Sequence, residues 1–144
     1  MFRFKPFVVF QKVLATATFP VFKTKGSAGA DVFSAEDKRL GANENTPVRT
    51  GVKVKVPDGW ELQVRSRSGL ALKGVTVANA PGTIDSDYRG EIIVILHSLV
   101  PYEVKTGDRI AQLVLKKAHG FVIKEGLVPL DTDRGEGGFG STGV

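Results

Sequence analysis

Between Val52 and Val64 the side chains keep a strict two-residue period, and no other stretch restricts the possible folds as much. Val52, Val54 and Val56 alternate with Lys53 and Lys55, Pro57-Asp58-Gly59 follows, and Trp60, Leu62 and Val64 then alternate with Glu61, Gln63 and Arg65. Successive residues of a strand point to opposite faces. The stretch therefore predicts an antiparallel hairpin with one face in a core and its lysines in solvent. Similar short runs, rich in valine, isoleucine and phenylalanine, occur at residues 7–13, 32–35, 75–78, 92–96, 102–105 and 109–115. Counting gives roughly nine or ten short elements separated by turn residues and no amphipathic helix of normal length, which predicts an all-β jelly-roll-like barrel. At 144 residues the chain is long enough to bury one core as a single domain.

Residues 38–50 are polar, and Gly41 and Pro47 predict a loop with a short edge element. Residues 79–91 have the form of a second hairpin, with Pro81-Gly82 and Asp85-Ser86-Asp87 as turn formers. The uninterrupted apolar run Ile92-Ile93-Val94-Ile95-Leu96 predicts a strand buried on both faces. Leu70, Ala71 and Leu72 read as packing residues, and Ile110, Leu113 and Leu115 as core. Residues 97–101 read as a turn, and Phe121-Val122-Ile123 and Leu127-Val128-Pro129-Leu130 are expected to close the core.

Charge and composition limit the partners. With 20 Lys and Arg against 15 Asp and Glu, the net charge of +5 favours anions such as nucleotides. The basic residues are scattered and no recognition helix is visible, so specific nucleic-acid binding is not expected. Cysteine is absent, which excludes disulfide and thiolate chemistry and fits a reducing, cytoplasmic setting. Gln11-Lys12 interrupts the first apolar run too early for a signal peptide or spanning helix, so the chain reads as soluble, without a membrane partner. His97 and His119 lack the spacing of metal ligands.

Chemistry concentrates in a few segments. Asp85, Asp87, Tyr88 and Arg89 stand just before the apolar run at residue 92, a suitable place for a general base. Arg65-Ser66-Arg67-Ser68-Gly69 offers guanidinium, hydroxyl and backbone N–H donors to a phosphate; the competing reading is a strand end with a helix cap. Residues 25–31 are either an ordinary turn or a close backbone approach to a ligand, with Asp31 facing it or its metal ion. Gln112, inside an apolar strand, is either bonded to backbone or offered to a ligand at the strand's edge. Residues 131–144 carry Arg134, Phe139, Ser141 and Thr142 among glycines: a disordered tail, or a mobile lid over a nucleotide.

Five segments in order resemble the trimeric dUTPases, the dUTP pyrophosphatases, over nearly the whole chain. They are Ala28-Gly29-Ala30-Asp31, Arg67-Ser68-Gly69-Leu70-Ala71, residues 82–91 from Gly82 to Glu91, Gly107-Asp108-Arg109-Ile110-Ala111-Gln112-Leu113, and residues 134–143 from Arg134 to Gly143. The resemblance implies hydrolysis of dUTP to dUMP and pyrophosphate, with Asp85 activating the water that attacks the α-phosphorus. It implies that Asn79, Gly82, Thr83 and Ile84 read uracil and that Tyr88 lies against the deoxyribose. Arg67, Ser68, Gly69 and Gln112 would hold phosphates, and Arg134, Phe139, Gly140, Ser141 and Thr142 would close from an arm at residues 132–144 on a core of residues 1–131. Mg²⁺ would ride on the triphosphate, with Asp31 reaching it through water, and the active sites of a homotrimer would lie between subunits. The chain departs from the family pattern at Ala30, at Ser66, where proline is common, and in the spacing from Lys73 to Asn79. Two other functions fit the same residues: a dCTP deaminase-like enzyme of this fold, and a regulatory binding protein gated by nucleotide.

Overall fold

Alternating β-branched residues draw the chain into strands because such side chains pack well on a pleated, half-buried surface. The computed structural model describes residues 4–141 and Gly143. Its strands are β1 (Val9–Lys12), β2 (Ala30–Phe33), β3 (Lys38–Leu40), β4 (Glu44–Lys55), β5 (Trp60–Arg65), β6 (Val75–Val77), β7 (Gly82–Ile84), β8 (Glu91–Ser98), β9 (Tyr102–Val104) and β10 (Arg109–Lys117), with one short helix, α1 (Ser68–Leu72). One sheet has the order β1-β4-β8-β6, a second β2-β10-β5-β7, and β3 pairs with β9. Every pairing is antiparallel. This is the expected all-β, jelly-roll-like architecture.

The core lies between the two large sheets. Val48, Val52, Val54, Val56, Ile92, Val94 and Leu96 come from one, and Val32, Leu62, Val64, Ile84, Ile110 and Leu113 from the other. Each such side chain withdrawn from water contributes about 1.5–3 kcal/mol.

Neither expected hairpin exists. The period from Val52 to Val64 does mark the buried face, but β4 and β5 belong to different sheets, and Pro57-Asp58-Gly59 carries the chain across the barrel. Residues 79–91 do the same: β7 pairs with β5, whereas β8 pairs with β4 and β6. Alternation reports which face is buried, not which strand is the neighbour.

Other expectations also change. The loop read at residues 38–50 is largely strand, since Thr46, Val48 and Thr50 alternate inward along β4. Within residues 92–96 only Ile92, Val94 and Leu96 are buried; Ile93 is 41% and Ile95 37% exposed, because no second layer covers that face within one chain. His97 and Ser98 extend β8 rather than turn. Of Leu70, Ala71 and Leu72 only Leu70 packs inward, since α1 is a single turn and shows one face to the barrel. Leu115 is half-buried, while Ile110 and Leu113 are core as expected. Residues 121–123 and 127–130 do not close the core. They are extended beyond β10 and exposed, Leu127 completely, because the core is already filled by strands.

One irregularity shapes the region near β8. Pairing of β4 with β8 is interrupted between Arg49 and Lys53, where Gly51 has φ 69°. A Cβ at Gly51 would lie 2.8 Å from Ala17 Cβ and 3.1 Å from Ala35 Cβ. Both the left-handed backbone and the close approach therefore require glycine. Gly51→Ala should lower unfolding free energy by about 3 kcal/mol, the combined order of backbone strain and overpacking. A urea midpoint equal to that of the unsubstituted protein would refute this.

Candidate active site

The crossing from β7 to β8 brings the central group of predicted residues together. Asn79, Gly82, Thr83, Ile84, Asp85 and Tyr88 line one cavity of about 190 Å³ with Val64, Glu91, Ile93 and Ile95. The lining combines the apolar side chains of Val64, Ile84, Ile93 and Ile95 with the carboxylate of Asp85, the amide of Asn79 and the phenol of Tyr88. Asp85 is exposed at the start of a turn in which the Tyr88 N–H donates to the Asp85 carbonyl at 3.1 Å. The backbone of Gly82 lies under Asn79, whose Nδ2 would be 3.2 Å from a Cβ there.

Tyr88 is anchored from beyond its own turn. Its hydroxyl donates to the Glu91 carbonyl at 2.6 Å. A Cβ at Gly90 would collide with that hydroxyl, so the ring folds over the glycine. The Glu91 side chain, 15% exposed, accepts from Arg49 Nη2 at 2.7 Å and from Arg49 Nε at 3.2 and 3.3 Å, and from the Gly51 N–H at 3.1 Å. Sequence reading placed Glu91 at the end of this stretch but did not identify Arg49 or its pairing with Glu91. No local pattern could have, for 42 positions separate the two.

The phosphate-donor candidates lie elsewhere in the chain. Arg67, ahead of α1, shares a second cavity with Lys73 and Arg109. Asp31, only 6% exposed, faces both arginines, with Arg67 Nε at 3.4 Å and Arg109 Nε at 3.9 Å. Arg67 Nη1 also donates to the Arg109 carbonyl at 3.2 Å. Ser68 and Gly69 are exposed at the start of α1. Gln112 is not on an edge: β10 runs between β2 and β5, with Asp31 and Arg65 opposite Gln112, and a Cβ on Gly29 would lie 3.5 Å from its Oε1. Ser66, at the departure from the family pattern, accepts the Val77 N–H at 2.8 Å and so ties the Arg67 loop to β6, a bond proline could not make.

The arm residues are not gathered to either cavity. Arg134, Phe139, Gly140 and Ser141 lie in exposed chain beyond β10, where Arg134 Nε donates to the Gly137 carbonyl at 2.8 Å. Thr142 lies outside the described residues. Among the described residues no group of three or more His, Cys, Asp or Glu could hold a metal, and no helix is long and apolar enough to cross a membrane.

A β barrel whose inter-sheet crossing presents an aspartate, a tyrosine and an asparagine around one cavity has counterparts among known proteins. The dUTPase family pattern matches residues 15–143. The deoxyuridine 5'-triphosphate nucleotidohydrolase of Zymomonas mobilis is 52% identical over 133 residues, covering 90% of this chain and 91% of that one. The Staphylococcus bacteriophage 80alpha dUTPase, solved with dUPNHPP, superposes with a TM-score of 0.84 at 28% identity, covering 96% of this chain and 99% of the other. A mutant dUTPase of phage phi11 of S. aureus shares the fold, with a TM-score of 0.79 at 22% identity, covering 88% of this chain and 99% of that one; its structure describes a structural Mg(II) ion. The chain belongs to the dUTPase family, the dUTP diphosphatases.

The Arg49–Glu91 pair gives a pH signature. The hydrogen bond from Arg49 holds the Glu91 carboxyl below its ordinary 4.5, against the opposing effect of burial, and the Gly51 N–H adds to the lowering. A carboxyl whose folded value is depressed adds stability that is complete above its unfolded value and is lost as pH falls through the folded one. Melting temperature followed from about pH 7 to about pH 3 should therefore fall less steeply in Glu91→Gln than in the unsubstituted protein, from a lower start. Parallel curves would refute the assignment.

Proposed function

We propose that the protein hydrolyses dUTP to dUMP and pyrophosphate, with Asp85 orienting and deprotonating the water that attacks the α-phosphorus. The observation that carries this is the shared cavity of Asn79, Gly82, Thr83, Ile84, Asp85 and Tyr88. A general base needs a position beside the reacting atom, and Asp85 sits on the rim where a nucleotide's first phosphate would emerge from a base-sized pocket. Asn79 and the strand edge at residues 82–84 read uracil, and Tyr88 lies against the sugar. The dUTPase of phage 80alpha binds a dUTP analogue, which favours this substrate over dCTP and a deaminase reading. The product dUMP is a precursor for thymidylate, and a cytoplasmic location fits a chain without cysteine.

Arg67, Ser68, Gly69 and Gln112 hold phosphate oxygens, and Arg134, Phe139, Gly140, Ser141 and Thr142 close from residues 132–144. In one chain these groups are separate from the Asp85 cavity, which supports sites assembled between copies. Exposed residues 121–123 and 127–130 support the same assembly, since contiguous apolar surface marks an interaction site. Elsewhere Phe7, Phe10, Phe22 and Leu113 border an apolar groove of about 520 Å³. A homotrimer in which residues 121–130 pack on a neighbour accounts for both surfaces.

Mg²⁺ suits the donor set only as a passenger on the nucleotide. Asp31 already faces two guanidiniums and would reach such an ion only through water, and among the described residues no acidic cage competes for it. When bound, the ion offsets negative charge on the triphosphate. The arginines and backbone donors do the same from fixed positions.

Asp85→Asn should leave binding of a non-hydrolysable dUTP analogue within about threefold while lowering turnover by about 10²–10⁴-fold, the usual scale for a lost general base. Unchanged pyrophosphate release would remove Asp85 from the mechanism. Truncation after Asp133 should preserve the melting transition yet impair turnover, and an unfolded product would refute the division into core and arm. Sedimentation equilibrium should give three times the 15.5 kDa chain mass; a monomer with full activity would refute the shared site.

A further inference from the structure

Tyr88 is 43% exposed, so packing alone does not fix the angle of its ring. Its orientation depends on the hydroxyl bond to the Glu91 carbonyl and on contact with Gly90. Glu91 opens β8 at the point where pairing with β4 is interrupted, between Arg49 and Lys53. In that gap the Gly51 N–H finds the Glu91 carboxylate, and Arg49 grips the same carboxylate with Nε and Nη2. The side chain of Glu91 thus takes the place of missing ladder bonds, and its backbone carbonyl holds the tyrosine.

We propose that Arg49 and Glu91 are positioning residues that fix the Tyr88 ring and so set the discrimination between deoxyribose and ribose nucleotides. The inference rests on the reading that Tyr88 lies against the sugar. Arg49 touches no part of the cavity; it acts through Glu91, and Glu91 through its carbonyl. Discrimination against one extra hydroxyl depends on close steric fit, and a small change in ring angle is enough to admit it. Arg49 is suited to the task because its planar fork fixes the direction of a carboxylate, whereas a lysine would supply charge without direction.

The test compares kcat/KM for dUTP with that for UTP in Glu91→Gln, Arg49→Lys, Arg49→Gln and Tyr88→Ala, with melting temperature measured alongside. Glu91→Gln and Arg49→Gln should lower the dUTP-to-UTP ratio by about tenfold, chiefly by admitting UTP, and Arg49→Lys should fall between. Adding Glu91→Gln to Tyr88→Ala should lower the ratio no further, since both act through one ring. Asp37→Ala serves as a stability control: Asp37 accepts the Thr106 N–H at 2.8 Å and Oγ1 at 3.1 Å in the turn before β10, and neither residue lines the Tyr88 cavity, so its loss should lower the melting temperature and leave the ratio unchanged. If Tyr88→Ala lowers the ratio while the Glu91 and Arg49 variants keep it and only melt earlier, the positioning role is overturned. If Tyr88→Ala itself leaves the ratio unchanged, the placement of the sugar is what fails.

Discussion

Two sheets packed face to face oblige the chain to cross from one to the other, and the site is built on such a crossing. Within a sheet each strand's N–H and C=O groups are committed to neighbours, and its inward side chains to the core. At a crossing both commitments lapse. Residues 57–59 and 85–90 are two of these crossings, and they lie side by side: Asp58, Gly59 and Trp60 border the same surface hollow as Thr83, Asp85 and Asp87. The first crossing is short and returns at once to strand. The second is longer, and the extra length is what presents Asp85 and Tyr88 while β7 and β8 on either side remain anchored in different sheets. A carboxylate on such a span is exposed enough to meet water, yet both of its ends are rigid.

What was legible in the sequence follows from the range of each signal. The buried face of β4 and β5 was readable because Val52, Val54, Leu62 and Val64 alternate within one strand length. Partnership was not, because the register that joins Leu62 to Ile84 and Val94 to Val48 is a property of the assembled sheets. Composition misleads at residues 121–123 and 127–130, where apolar content predicts core although the space between the sheets is already filled. The polar appearance of residues 44–50 hid the first half of β4, whose outward residues are polar because that face is solvated. The segments around Asp85 and Arg67 were legible through their likeness to a family, since each is a local word. Arg49 was invisible, for its meaning depends on Glu91 across a gap in the sheet.

The two groups of candidate residues are held by different physics. Around the Asp85 cavity, Asn79, Gly82, Gly90 and Tyr88 are arranged by close approach of backbone and by single hydrogen bonds. Such contacts give shape selectivity and little net charge. Around Arg67 the arrangement is electrostatic. A buried carboxylate without a partner costs several kcal/mol, so Asp31 is tolerated at 6% exposure only because two guanidiniums face it. The benefit runs in the other direction as well. Held by one acid, Arg67 and Arg109 cannot collapse onto separate carboxylates at the surface, and the pair retains a positive excess beside Lys73 in the same cavity.

That excess bears on why one carboxylate stands at each end of the system. Asp31 and Asp85 differ in surroundings rather than in chemistry: the first faces two cations out of water, the second lies exposed on a turn. A carboxylate facing two guanidiniums has its charge directed at them. An exposed one with no fixed cation keeps its lone pairs for water. Asp31 on β2 and Asp85 just past the end of β7 stand at opposite edges of one sheet, so within one chain the positive charge gathered around Arg67 and Arg109 lies apart from the Asp85 carboxylate.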